Sequence, residues 1–356
     1  MSEPVDDPEL ETHLRSVMHA AWEAYGDPRR LIDVVELSAM VSTNRVYRLM
    51  LDDGGSVVAK VSNYGSYFLF SEDHDRLHRC QQLLGRTRYE QFLAEALTRD
   101  DRPFIYYDGR YWAILYHELP IAQRLGRVLS PAQVDNLATE MAEFHQTCTE
   151  IAPELPPSSK SVKSDAIHLL DLVSDRHASL QFGLDQSRLD IVRRHTHQFL
   201  MALEDYRYDD WVKVPVLIDW NLGNFSVEFS GENFRLFSRW DYDWFRIESR
   251  MFDFYFLSRV SSRTGDQTRF TYGAHTLTEP RFVRFIAAYH RAFALTEDEV
   301  RFLAEAYRFF LLNYVVREGR HFFRHDIWRS LQHDVVDQHL FSLDHLDLSI
   351  LVEQLE

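Results

Sequence analysis

The sequence predicts an α+β fold, with short β-rich runs in its first third and again around 214–240, and long helical patterns through most of the remainder. Three observations carry this. STNRVYRLMLDDGGSVVAKVSNYG contains two apolar, β-branched runs joined by the tight turn Asp52-Asp53-Gly54-Gly55. VPVLI, FSVEF and FRLFSRW are three more such runs, the last two separated by the turn SGEN. DQSRLDIVRRHTHQFLMALEDY and DEVRFLAEAYRFFLLNYVVREG space apolar residues as amphipathic helices do, and the second is apolar enough to be a buried core element.

The later strand cluster carries the chemistry. Asp219 and Asn224 lie in LIDWNLGNFSV and Asp241 in FSRWDYDWF, so the order is strand, Asp219, Asn224, strand, turn, strand, Asp241 within about two dozen residues. Phosphoryl transfer of the kinase type needs such a set. One Asp orients and accepts the proton of the attacking hydroxyl, while an Asn shortly after it and an Asp on the next hairpin hold Mg2+. Gly223 supplies the permissive backbone that lets Asn224 face the same cleft. Asp243, two residues past Asp241, would share its strand face; a second metal, the acceptor, or a hydrogen-bonded surface position are all open to it.

In the first hairpin, Lys60 sits inside VVAKV, where burial is expensive unless a phosphate or carboxylate receives the ammonium. Alongside the downstream acids it is expected to contact the α and β phosphates of a nucleotide. Ser42, Thr43 and Asn44, in the turn that precedes this hairpin, offer hydroxyl and amide groups to phosphate oxygens. The lysine of such a site is commonly held by an acid on a following helix, and Glu72 in SEDHDRLHRCQQLL is the candidate, with Ser71 as the helix cap.

Composition narrows the alternatives. At 356 residues, 45% hydrophobic and 14% aromatic, the chain can bury one large or two moderate cores. A net charge of −16 argues against a nucleic-acid binder. Cys80 and Cys148 fit no metal or redox spacing, so reduced thiols in a cytoplasmic protein are expected. The acidic N-terminus MSEPVDDPELETHL has no basic or apolar leader pattern, and no apolar run of membrane-spanning length occurs. Paired histidines, His195 with His197 and His321 with His325, lack a third ligand pattern.

Taken together, these segments resemble the aminoglycoside phosphotransferase and choline kinase superfamily over roughly residues 30 to 330. STNRVYRL looks like its phosphate loop, VVAK its lysine strand and YWAILYHELP its strand leading into the hinge. LATEMAEFHQTC, ending in a Leu-x-x-x-His-like pattern at His145, resembles a family helix. LIDWNLGNF resembles a catalytic loop usually written H-G-D-x-x-x-x-N, and WDYDWFRIESRMFDFYFL its metal-binding segment. The resemblance implies a protein-kinase-like two-lobe fold: an N-terminal helical extension over 1–29, a five-stranded antiparallel N-lobe over 30–119 with one helix, and a mostly helical C-lobe over 120–356. It implies Asp219 as base or orienter, Asn224 and Asp241 as Mg2+ ligands, Lys60 as phosphate clamp, Glu118 at the start of a nucleotide-binding hinge, and Asp253 as a brace for the catalytic loop. The implied reaction moves a phosphoryl group from ATP, or GTP, to a small-molecule hydroxyl such as an aminoglycoside, choline, homoserine or sugar. A bacterial stress-response Ser/Thr protein kinase and a catalytically silent nucleotide binder are the alternatives. One departure matters: Leu217 stands where the loop histidine is usual.

For the acceptor, two patterns compete. Tyr242, Trp244, Tyr255 and Trp328 could wall a cationic substrate. The Arg- and His-rich stretch 317–329 suggests instead an anionic or hydroxyl-rich acceptor, a protein, or merely a solvated helix face.

Overall fold

The computed structural model describes residues 8–38, 44–266 and 272–356. A helix opens the chain, α1 (Pro8–Tyr25), whose Leu14, Val17, Met18, Ala21 and Trp22 recur at helical spacing on one face. Strands β1 (Leu31–Glu36), β2 (Arg45–Leu51) and β3 (Ser56–Ser62) follow, with the expected turn between the last two. After α2 (Tyr67–Leu84) come the two-residue strands β4 (Thr98–Arg99) and β5 (Arg102–Pro103), then β6 (Ile105–Tyr107) and β7 (Trp112–His117). The main sheet has five antiparallel strands in the order β1-β2-β3-β7-β6.

Alternation along β3 and β7 places Lys60. Val57, Ala59 and Val61, with Ala113 and Leu115, pack toward α1 in one buried cluster that also holds Tyr47, Leu49 and Leu51. The alternate residues face the other way. Val58, Ile114 and Tyr116 belong to a second, larger cluster that also takes Leu77, Cys80, Leu83 and Leu84 of α2. Lys60, paired in register with Val46 and Ile114, therefore leaves the α1 side and points toward that second layer.

The remainder is mostly helical. Helix α3 (Pro131–Ile151) starts at a Ser130 capping box closed by Gln133. Helices α4 (Val162–Ser174), α5 (Ala178–Phe182) and α6 (Gln186–Asp205) follow; of the loop-like stretch 153–164, residues 155–161 are the connection between the 3-10 turn Ala152–Glu154 after α3 and the start of α4. Two small sheets interrupt the helices: β8 (Val214–Val216) pairs with β11 (Arg246–Glu248), and β9 (Phe225–Ser230) with β10 (Asn233–Arg239). Helices α7 (Phe254–Ser261), α8 (Pro280–Ala292), α9 (Glu297–Arg301) and α10 (Leu303–Phe310) continue the layer, and α10 runs on into a wider π-helical turn at Leu311–Arg317. Among the described residues no helix is long and apolar enough to cross a membrane.

Candidate active site

The site is built from two short loops. The first leaves β8 through Leu217 and Ile218 to Asp219. Ile218 lies in the left-handed region with φ of +61°, an unfavourable place for a β-branched residue. What holds it is Asp253, fully buried, whose Oδ1 accepts from the backbone N–H of Leu217 (3.0 Å) and of Ile218 (2.6 Å). Its Oδ2 accepts from Nε2 of buried His145 (2.9 Å), and Nδ1 of that ring meets the Tyr289 hydroxyl at 2.8 Å. A carboxylate can only accept, so the hydrogen on Nε2 is donated to Asp253. Tyr289, His145 and Asp253 thus form one buried chain that ends on the backbone of the loop bearing Asp219.

The second loop leaves the β9–β10 hairpin. The strand ends at Arg239, and Asp241 follows with φ of +69°. Backbone links tie the loops together: the N–H of Trp240 donates to the carbonyl of Asn224 (3.0 Å), and Asn224 Nδ2 donates to the carbonyl of Asp219 (3.4 Å). Lys60 reaches across from β3 to both acids of the second loop, at 3.3 Å from Asp241 Oδ1 and in direct contact with Asp243 Oδ1. The other oxygen of Asp243 accepts from Asn44 Nδ2 at 2.9 Å.

These contacts set the protonation chemistry. Burial and the neighbouring charge of Asp241 push the Asp219 carboxyl up to about 7, with Arg239 opposing them. That lies in the range where a carboxylate can accept a proton at neutral pH. Burial alone would lower the Lys60 ammonium, but Asp243 and Asp241 outweigh it and hold it above its ordinary value. Burial opposes ionisation of Asp241, yet Lys60 and Arg239 keep its carboxyl below the usual range. Asp243 is raised, because burial and the charge of Asp241 outweigh Lys60.

Several expectations need correction. Asp243 is largely shielded and ion-paired, not a surface acid, because β10 has already ended and the turn at Asp241 brings both carboxylates to Lys60. Glu72 does not hold the lysine: its carboxylate bonds Arg76 (3.1 Å) and Ser159. Helix α2 begins at Tyr67 after Ser66, so Ser71 is not its cap and Glu72 lies in the second turn. Glu118 follows β7 directly, with its side chain on Arg48 (2.7 Å) and Ser56. Ser42 and Thr43 lie outside the described residues.

The acceptor patterns also change. Trp244 and Tyr255 are core residues, Tyr255 stacked on Tyr307 with ring centres 3.8 Å apart, and Tyr242 spends its hydroxyl on the backbone of Ala94 and Arg239. Arg317 is buried on Asp165 and Glu318, and Arg320 donates to the carbonyl of Gln181, so part of the basic stretch is consumed inside the fold. The residue that sequence reasoning passed over is Arg239. It has no exposed surface, and its Nη2 donates to the carbonyl of Asp219 at 2.8 Å. No local pattern marked it, since FRLFSRW also carries Arg235 and Ser238.

Among the described residues no group of three or more His, Cys, Asp or Glu side chains is placed to hold a metal by itself. The donor set nevertheless fits Mg2+, a hard cation usually held by one or two protein oxygens with phosphates and water completing the shell. Asp241, 40% exposed at its side chain, and Asn224, tied to the same turn, are such a pair.

The architecture is that of the aminoglycoside phosphotransferases and related small-molecule kinases. A microcompartment-associated aminopropanol kinase superposes with a TM-score of 0.58 at 16% identity, covering 94% of this chain and 99% of its own. An amicoumacin kinase in complex with AMP-PNP, Ca2+ and Ami gives 0.58 at 12% identity over 94% and 97%. The GDP complex of an aminoglycoside 2'-phosphotransferase-IIIa gives 0.57 at 15% identity over 93% and 98%. No protein-family model matches the sequence, and no curated protein matches it.

Proposed function

We propose that this chain is a nucleotide-dependent phosphotransferase that moves the γ-phosphoryl group of ATP, or GTP, to a hydroxyl of a small molecule. The observation that carries the reading is the meeting of Lys60 from the sheet with Asp241 and Asp243 from the helical part, beside Asp219 raised to about 7. In this reading residues 30–119 act as the nucleotide-handling lobe, 120–356 as the catalytic lobe, and 118–122 as the hinge. The Glu118 carboxylate is engaged by Arg48, so the hinge offers the base its backbone rather than that side chain.

Asp219 accepts the proton of the acceptor hydroxyl as the oxygen attacks the γ-phosphorus. Lys60, already preorganised by two carboxylates, turns its ammonium to the α and β phosphates. Asn224 and Asp241 would hold Mg2+, which supplies charge neutralisation on the phosphate oxygens. Asp253, His145 and Tyr289 keep the loop fixed while charge moves, so no rearrangement is required at the moment of transfer. Proteins of similar fold named for aminopropanol, amicoumacin and aminoglycosides support a small-molecule acceptor.

The test is a thermal-shift titration with ATP and GTP, each with and without Mg2+, on the parent and on Asp241→Ala, since a ligand that binds only the folded state raises its melting temperature. A Mg2+-dependent rise that the variant loses is expected, followed by nucleotide turnover when amino alcohols, aminoglycosides and sugars are screened. No shift at millimolar nucleotide would overturn the reading. Binding without turnover on any hydroxyl, peptides included, would point to a silent nucleotide binder.

A further inference from the structure

Arg239 is unusual as a buried cation. Its side chain lies in β10 with no exposed surface, and among the described residues no carboxylate forms an ion pair with it. Isolated burial of a guanidinium is costly, so its few partners identify what it is for. Those partners are carbonyls of both catalytic loops: Nη2 lies 2.8 Å from the Asp219 oxygen, 3.4 Å from Leu217 and 3.5 Å from Asp241. Its flat face rests on the indole of Trp220 at 4.8 Å, while Nε and Nη1 make no hydrogen bond among the described residues. The carbonyl-binding edge is the one the structure uses.

Each loop contains one left-handed non-glycine residue, Ile218 or Asp241. Such residues persist only where surrounding contacts over-determine them. Asp253 holds the N–H groups of the first loop, but nothing on Asp253 reaches the second. Leu217 has no polar side chain to contribute. A single guanidinium that collects carbonyls from both loops fixes the distance between the proton acceptor and the metal-binding acid.

We infer that Arg239 is the positioning residue of this site, holding the Asp219 loop and the Asp241 loop in register with each other through their carbonyls. The inference rests on the phosphotransfer reading for its kinetic consequences, but its geometric content stands apart from turnover. Arg239 also places positive charge beside Asp219. The other charged or titratable groups that bear on Asp219 are Asp241, Arg259 of α7, and Tyr272; the Asn221 N–H donates to it.

Two variants separate position from charge. In Arg239→Met both are lost, and in Arg239→Lys the charge stays but the planar donor edge does not. The readouts are the split of kcat against KM for nucleotide and the hydrogen exchange of the loop amides of Leu217, Ile218 and Trp240. Arg239→Lys is expected to keep KM within about threefold while kcat falls on the order of 100-fold, the usual penalty of about 1 Å misplacement. Arg239→Met is expected to lose at least as much, and both variants to exchange these amides faster than the parent. Parental kcat in folded Arg239→Lys, or parental exchange of the loop amides in folded Arg239→Met, overturns the inference. If Arg239→Met does not fold, Arg239→Lys decides alone. A parent that turns over no acceptor would sink the phosphotransfer reading, and the amide exchange would then decide the Arg239 assignment by itself.

Discussion

Replacing Asp219 by Asn should make the protein more stable while abolishing turnover. A carboxyl that titrates ordinarily near 3.8 when unfolded and about 7 when folded is destabilising wherever the folded state must hold it ionised. The sign follows from proton linkage. Between about pH 4 and 7 the folded state binds more protons at this group than the unfolded chain, so parental stability falls as pH rises through that window and levels off above it. At about 1.4 kcal/mol per pH unit the ceiling is ~4 kcal/mol at pH 8. Asp219 is only partly screened from water, so roughly half of that is expected. Asn keeps the shape, and its amide oxygen can still accept from the Asn221 N–H as Asp219 Oδ1 does at 3.3 Å. Urea denaturation of parent and variant at pH 5, 6, 7 and 8 measures the difference. The gain should grow from pH 5 to 7 and stay flat to pH 8. A variant no more stable than the parent at pH 8, or a gain independent of pH, would refute the argument.

Lys60→Met leaves Asp241 and Asp243 facing each other without the ammonium between them, and, with Arg239 still near Asp241 and that side chain 40% exposed, should cost roughly 2–3 kcal/mol at pH 8. Because Asp243 is already raised, that loss should shrink as pH falls toward 5.5, while in the parent the stabilisation by Lys60 should disappear only at alkaline pH, above its ordinary range; urea curves at the two lower pH values and at pH 11 read both. Asp253→Asn turns an acceptor-only group into one whose amide hydrogens face the N–H groups of Leu217 and Ile218 or the imidazole, and should lower stability by about 3 kcal/mol. A change under about 1 kcal/mol by thermal unfolding would show that the loop is held by other means. Glu72→Gln should leave turnover within about twofold, since its carboxylate lies on Arg76 and Ser159 and not on Lys60; a tenfold loss would restore α2 as the clamp on Lys60.

The legible parts of this protein were local ones. Asp52–Gly55 announced the β2–β3 hairpin, and alternation around Lys60 placed it on a strand, because turn chemistry and period-two patterning are written in consecutive residues. The order of Asp219, Asn224 and Asp241 was equally visible. Partner choice was not. Lys60 takes Asp243 from 183 residues away in preference to Glu72 on the neighbouring helix, and no local pattern encodes which acid arrives. Arg239 was invisible for the same reason, since its role is to bind carbonyls, which every residue possesses. Asp243 was misplaced because strand alternation was carried past Arg239, where the left-handed turn at Asp241 ends it.

The division of β3 between two layers also constrains how this gene can change. The strand is paired on both edges, so deleting one residue within 56–62 would exchange its faces, turning Lys60 toward Tyr47 and Leu49 and Ala59 toward the aspartates. Single-residue insertions and deletions inside the strand therefore disrupt both layers, whereas the largely exposed turn before it, Asp52–Gly55, can absorb them without touching either. Length variation among descendants of this sequence should accordingly collect in that turn and leave the seven residues of β3 ungapped.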